Sequence, residues 1–269
     1  MRKLYVDIKN INGKKAVIKG QDAKHLANVM RLSPGTELEI CDGQGRDFKT
    51  EIRTISSSAV TLEIIKELSY SSESPAYIIF AQGMLKDKKM DMLVRHLTEL
   101  GIAEWIPFFA ERSVPKPNLE KIRKRQERWK RIAREALNQC GRSVVPYIGM
   151  PLQFSELIQA YDDTCVQKII FWEKSSCPID VIRDKEKKEP ADKMKTNSGS
   201  EQNNNKPEKK IIILTGPEGG FADDEIKLAR QNGFKACSLG PRILRAETAS
   251  IAACALVQNI FGDFGRKSS

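Results

Sequence analysis

The apolar run Ile211–Leu214, cut off after Thr215 by Gly-Pro-Glu-Gly-Gly at 216–220, constrains this chain more than any other feature. An apolar segment of strand length that ends at glycine and proline predicts a buried β-strand closing in a sharp turn. Glycines at 216, 219 and 220 permit positive φ and let bare backbone approach a ligand, while Pro217 stiffens the bend. Two standard nucleotide loops are excluded, because no Gly-Lys-Ser/Thr follows and the spacing is not G-x-G-x-x-G. A purely structural strand-to-helix turn stays open at this point. The stretch SLGPRILRAETAS, Ser238–Ser250, repeats the arrangement: a short strand ends in Gly-Pro and a helix follows, with Glu247 and Thr248 near its start. In an α/β protein two such strand ends can meet at the carboxyl edge of one sheet, where ligands bind.

The rest of the chain reads in two styles. Residues 1 to about 70 give short strands (KLYVDI, KAVIKG, TELEI, DFKTEIRTI, AVTLEII) separated by turns, which suggests a small β-barrel. One helix interrupts it, DAKHLANVMRL, with Asp22 placed as N-cap and Leu26, Val29 and Met30 on one face. A polar segment, Ser69–Pro75, marks the boundary, so we expect domains at 1–72 and 73–269. Beyond it, AYIIFAQG, KDKKMDMLVRHLTELG and AEWIPFF form a β-α-β unit and imply a parallel sheet. A long helix from Glu120 follows, with Ile122, Trp129, Ala133, Ala136 and Cys140 along one face. Residues 183–210 hold almost no apolar side chain and read as a mobile surface insertion within the second domain.

Composition narrows the function. The six cysteines contain no C-x-x-C pair and the only histidines are His25 and His96, so neither a zinc site nor a disulfide framework is expected. No segment has the length or apolarity of a signal peptide or membrane span, and a reduced, cytoplasmic protein is expected. The 45 basic residues against 35 acidic ones leave a formal charge of +10, which favours a polyanionic partner such as RNA. On the helix from Glu120 the basic excess is one-sided: Arg123, Lys124 and Arg131 are candidate phosphate contacts, with a solvated charge face as the other reading.

TGPEGGF followed by LGPRILRAETA resembles the paired signature of the small-subunit ribosomal RNA uridine-N3 methyltransferases, the RsmE-type family of the SPOUT superfamily. HLANVMRLSPGTELEICDGQG resembles that family's N-terminal domain, and KKMDMLVRHLTELGIAEWIPFFAERSV and RWKRIAREALNQCGRSVVPYI its central segments, in the family's order, so the likeness covers nearly the whole chain except the 183–210 insertion. It implies an α/β protein: an N-terminal PUA-like β-barrel for RNA contact and a C-terminal SPOUT α/β methyltransferase domain tied in a deep trefoil knot. It further implies a homodimer that uses S-adenosylmethionine, with 16S ribosomal RNA in the decoding region of the small subunit as substrate, and no metal. The cofactor loops carried over are Trp172 and Glu173, then Leu214, Thr215, Gly216, Pro217, Glu218 and Gly219, then Leu239, Gly240, Ile243 and Leu244. Related alternatives are ribose 2′-O methylation of RNA and a non-catalytic assembly factor.

The implied reaction places a methyl on N3 of a uracil, which must first be unpaired or extruded and must lose its imide proton. Arg245 is the candidate stabiliser of the charge on O2 and O4, and Glu247 the candidate proton acceptor. A carboxylate at a helix start also complements the helix dipole, and Arg242 and Arg245 can instead hold RNA phosphate. The chain departs from the family at Ala222, where a Ser or Thr usually caps the next helix; Asp223 is expected to take over, against a loss of ~1 kcal/mol. The final helix, apolar or small nearly all round, is expected to be covered on more than one side, the family pointing to a dimer interface.

Overall fold

A computed structural model describes residues 3–69, 72–114, 118–161, 166–179 and 209–265. Most of the expected 183–210 insertion therefore lies outside the described residues; Lys209 and Lys210 instead open a strand. The chain divides into two compact units, Met1–Glu73 with Lys130–Pro146, and Ser74–Trp129 with Tyr147–Ser269.

The first unit is a six-stranded sheet in the order β1-β4-β5-β6-β3-β2. Its strands are β1 (Lys3–Tyr5), β2 (Ile11–Asn12), β3 (Lys15–Lys19), β4 (Glu37–Cys41), β5 (Asp47–Ile55) and β6 (Ala59–Leu68). All neighbours are antiparallel except β1 and β4. Alternation along β5 and β6 puts Phe48, Ile52, Val60 and Leu62 on the inner face, where they pack with Ile18, Leu26, Leu38 and Ile40. Register shifts in β5 near Thr50 and Thr54 bend the sheet around this core. Residues 130–146 are tied in by polar bonds: Ser143 Oγ donates to Asp47 Oδ2 at 2.7 Å, Lys3 Nζ reaches the same oxygen at 2.7 Å, and Asn138 Oδ1 accepts the Tyr5 N–H at 2.7 Å.

Two expectations for this unit are corrected. The helix α1 (Gln21–Lys24) is capped by Gly20 rather than Asp22, and it widens into a π turn at His25–Val29. That widening rotates the following positions, so only Leu26 enters the core, while Val29 is 67% exposed and Met30 40%.

The second unit is built on a seven-stranded parallel sheet, β10-β8-β7-β12-β11-β13, with β9 beside β8. Its strands are β7 (Ala76–Gly83), β8 (Glu104–Phe109), β9 (Tyr147–Ile148), β10 (Leu152–Gln153), β11 (Val166–Phe171), β12 (Lys209–Thr215) and β13 (Lys235–Cys237). Ile211 to Leu214 are fully buried because β12 is central and covered on both faces. On one face Ile212 and Leu214 join Phe108, Phe154, Phe221, Ile226 and Phe234.

This unit holds the helix α2 (Asp87–Glu99), the part of α3 (Leu119–Cys140) up to Trp129, and the helices α4 (Phe154–Ala160), α5 (Asp223–Gln231) and α6 (Ala246–Phe261). The apolar stripe of α3 buries Ile122, Trp129, Ala133 and Ala136, and Trp129 meets Trp105 edge-on with centroids 4.8 Å apart. Cys140, expected on the same stripe, is exposed at the last position of the helix. At the start of α5, Ala222 offers no side-chain cap and Asp223 does not replace it, because its carboxylate pairs with Lys174 at 3.0 Å. Glu225 instead accepts the Ala222 N–H at 2.9 Å through one oxygen and the Glu111 N–H at 2.9 Å through the other.

Candidate active site

Because the strands run parallel, the last residues of β7, β12, β11 and β13 lie on one edge. Gln82 is in register with Thr215, Thr215 with Phe171, and Phe171 with Cys237. Three turns leave that edge together and enclose a cleft of about 230 Å³. The turn after β11 brings Trp172 and Glu173; the turn after β12 brings Thr215, Gly216, Pro217, Glu218 and Gly219; the turn after β13 brings Leu239, Gly240, Arg242, Ile243 and Leu244. Gly216 and Gly240 thus face one cavity. Leu214 lies one position earlier on β12, fully buried in the core and outside the lining.

The glycines act in different ways. Gly220 (φ +68°) and Gly240 (φ +110°) occupy backbone conformations that side chains rarely adopt. Gly216 and Gly219, expected to share them, do not; at Gly219 the need is for space, since an added Cβ would lie 2.9 Å from Arg112 Cβ. Gly83, at the end of β7, is a glycine the sequence did not single out. A Cβ there would sit 2.6 Å from Pro217 N and 2.9 Å from Gly216 C, so the turn passes directly over a bare backbone.

A buried polar cluster fastens the same turn. Thr215 Oγ1 donates to Gln82 Oε1 at 3.0 Å, Ser250 Oγ lies 2.6 Å from that oxygen, and Gln82 Nε2 donates to the Gly83 and Gly216 carbonyls at 2.9 and 3.3 Å. All three side chains are buried, so the links are made in a low-dielectric interior. Gln82 and Ser250 were missed in the sequence because one lone glutamine in an apolar strand and one serine in a small-residue helix carry no spacing signal.

Arg245, exposed, is the N-cap residue of α6, and Glu247 sits in that helix's first turn with its side chain 17% exposed. Burial alone would raise the Glu247 carboxyl, but a hydrogen bond from its own backbone N–H, the Lys89 ammonium and Arg245 outweigh it and hold the group below the ordinary carboxylate range. Lys89 Nζ is 3.1 Å from Glu247 Oε2 and 3.3 Å from Glu218 Oε1. That buried Glu247 oxygen has no hydrogen-bond partner among the described residues, so the Lys89 contact is an ion pair. Glu247 foremost, then Glu218, hold the Lys89 ammonium above its ordinary range.

The candidate RNA contacts are distributed. Arg242 lines the cleft and is exposed; Arg123, Lys124 and Arg131 are exposed on α3, where Lys124 pairs with Glu120 at 2.7 Å and Arg131 with Glu135 at 3.7 Å. No group of three His, Cys, Asp or Glu side chains suited to a metal is found among the described residues. None of the described helices is long and apolar enough to cross a membrane.

A parallel α/β sheet with a glycine-walled cleft at its carboxyl edge is the architecture of a ligand-binding α/β domain, here in a chain that also carries a small β-sheet unit. Residues 72–258 match the RNA methyltransferase domain family, and residues 18–65 match the RNA methyltransferase PUA domain. The chain is 33% identical to the ribosomal RNA small subunit methyltransferase E of Bacillus subtilis, over 89% of this chain and 88% of that protein. It is 29% identical to the enzyme of the same name from Aquifex aeolicus, over 92% and 95%. A crystal structure of the Neisseria gonorrhoeae ribosomal RNA small subunit methyltransferase E bound to S-adenosyl methionine superposes with a TM-score of 0.81, at 27% identity, covering 98% of this chain and 99% of that one. The chain belongs to the ribosomal RNA small subunit methyltransferase E family.

Proposed function

We propose that this protein methylates N3 of a uridine in 16S ribosomal RNA of the small subunit, with S-adenosylmethionine as donor. The single observation that carries the reading is the convergence of three turns on one cleft at the end of β11, β12 and β13. The lining fits the donor. Bare backbone at Gly216 and Gly219 offers polar groups to a purine, the missing side chain at Gly240 leaves room for it, Leu239, Ile243 and Leu244 give apolar surface, and Glu173 and Glu218 suit a cationic ligand. Trp172, also in the lining, keeps a buried indole N–H with no hydrogen-bond partner among the described residues. When bound, S-adenosylmethionine supplies an electrophilic methyl group.

The chain's own residues then have three tasks. Glu247, ionised at neutral pH, takes the N3 proton of an extruded uracil. Arg245 faces the charge that spreads onto O2 and O4 as the proton leaves. Arg242 at the cleft, with Arg123, Lys124 and Arg131 on α3, neutralises phosphate. Domain roles follow the two family matches: RNA contact by the PUA-like part and chemistry by the rest. A trefoil knot, a cytoplasmic location and a homodimer belong to the same reading. For the dimer, the supporting feature is the outer side of α6, where Leu256 is 38% exposed and Phe264, just beyond the helix, 41%.

Mass spectrometry of ribosomal RNA from cells lacking the protein tests the reading. One methyl is expected to disappear from a uracil ring of the small-subunit RNA. A missing ribose methyl would redirect the chemistry to 2′-oxygen, and an unchanged methylation pattern would end the proposal.

A further inference from the structure

The Lys89 bridge is not needed to enclose the cleft. Lys89 lies in the first turn of α2, an unfavourable place for a cation, because the helix dipole presents positive charge there. Two carboxylates from separate parts of the chain offset this: Glu218 from the turn after β12 and Glu247 from the start of α6. We propose that Lys89 is a positioning residue for the methyl transfer, its ammonium tying Glu218 of the glycine turn to Glu247 of α6 so that cofactor wall and proton acceptor are set together. This rests on the function proposed above.

Three observations support it. The bridge is short on both arms, 3.3 and 3.1 Å, and Glu218 itself lines the cleft. Glu247 Oε2 is buried without a hydrogen-bond partner among the described residues, and the Lys89 ammonium lies 3.1 Å from it, so the ion pair is what balances that oxygen's charge. The charged groups that face Glu247 are few: Lys89 from α2, Arg245 beside it on the chain, and Glu218 across the ammonium. With Lys89 removed, burial pushes the Glu247 carboxyl up and less opposes it. A carboxylate that must be ionised to take a proton then loses activity at a higher pH than before. The sign is fixed: the acidic limb of the rate profile moves up, not down.

The experiment uses the full chain with K89M, K89Q, K89R and E247Q variants. Carbon-13 NMR, with the Glu247 side-chain carboxyl assigned by its loss in E247Q, follows the titration of that group without substrate or cofactor. Single-turnover methylation of undermethylated small subunits, measured across pH, gives the second readout. In K89M and K89Q the Glu247 titration is expected to move to higher pH, with the acidic limb following it. The rate on the acidic side falls roughly tenfold or more, a size typical of lost positioning. K89R restores both, because it keeps the charge. A Glu247 titration that is the same in K89M and the unaltered protein overturns the proposal, as does a shifted titration with an unmoved acidic limb. Failure of the underlying reading looks different: E247Q would methylate at the normal rate, whatever the Glu247 titration does in the Lys89 variants.

Discussion

The two walls of the cleft are built on opposite principles. The turn at 216–220 is braced from below by Gly83, from the side by Phe221, whose ring would be 3.2 Å from any Cβ at Gly216, and from within by the buried Gln82, Thr215 and Ser250 cluster. The turn at 239–244 is held locally, with the Ser238 hydroxyl accepting the Gly240 N–H and donating to the Gly240 carbonyl, both at 3.1 Å. Nothing lies within 4 Å of a Cβ added at Gly240, and Ile243 is 87% exposed. One wall is braced by the core and the other only by its own local bonds, so the cost of ordering on binding is expected at the second turn.

The strongest way to break this contrast is Gly83→Ala. The new methyl meets backbone atoms of Gly216 and Pro217 rather than the end of a flexible side chain, so the first wall is displaced. A loss of ~1–3 kcal/mol in stability is expected from such overpacking. S-adenosylmethionine binding should fall below detection by calorimetry. Thr215→Val comes next: it leaves Gln82 Oε1 and Ser250 with one fewer buried partner, worth about 1–3 kcal/mol. Chemical denaturation would register that loss, accompanied by weaker cofactor binding.

Gly240→Ala probes the second wall. No clash arises, so only the strained backbone at φ +110° matters, at ~1 kcal/mol. The smallest stability effect is expected for Ile243→Ala, within about 0.5 kcal/mol because the side chain is already in water. Cofactor affinity should nonetheless drop several-fold, a split between melting temperature and binding that the first wall cannot produce.

The contrast also explains what could be read in the sequence. Both Gly-Pro turns were visible, because a strand that stops at glycine and proline is a local signal, and so were the strands they terminate. Their convergence follows from parallel pairing of β12 with β11 and of β11 with β13. The supports of the first wall were not visible, since Gly83 and Gln82 lie far away in sequence and act only through packing. Lys89 was hidden in a lysine-rich helix start, where no spacing sets one lysine apart from its neighbours. Leu214 illustrates the opposite error of resolution: a motif assigned to a cofactor loop includes the last core residue of its strand, and only burial separates the two. Val29 and Met30 defeated helical periodicity because the helix carrying them changes to π geometry at His25.

Hydrogen exchange with and without S-adenosylmethionine tests the central claim most directly. The account predicts that amides at 239–244 exchange fast in the free protein and slow markedly on addition of cofactor, while those at 216–220 are already protected and change little. Exchange in both turns that is indifferent to the cofactor would contradict it.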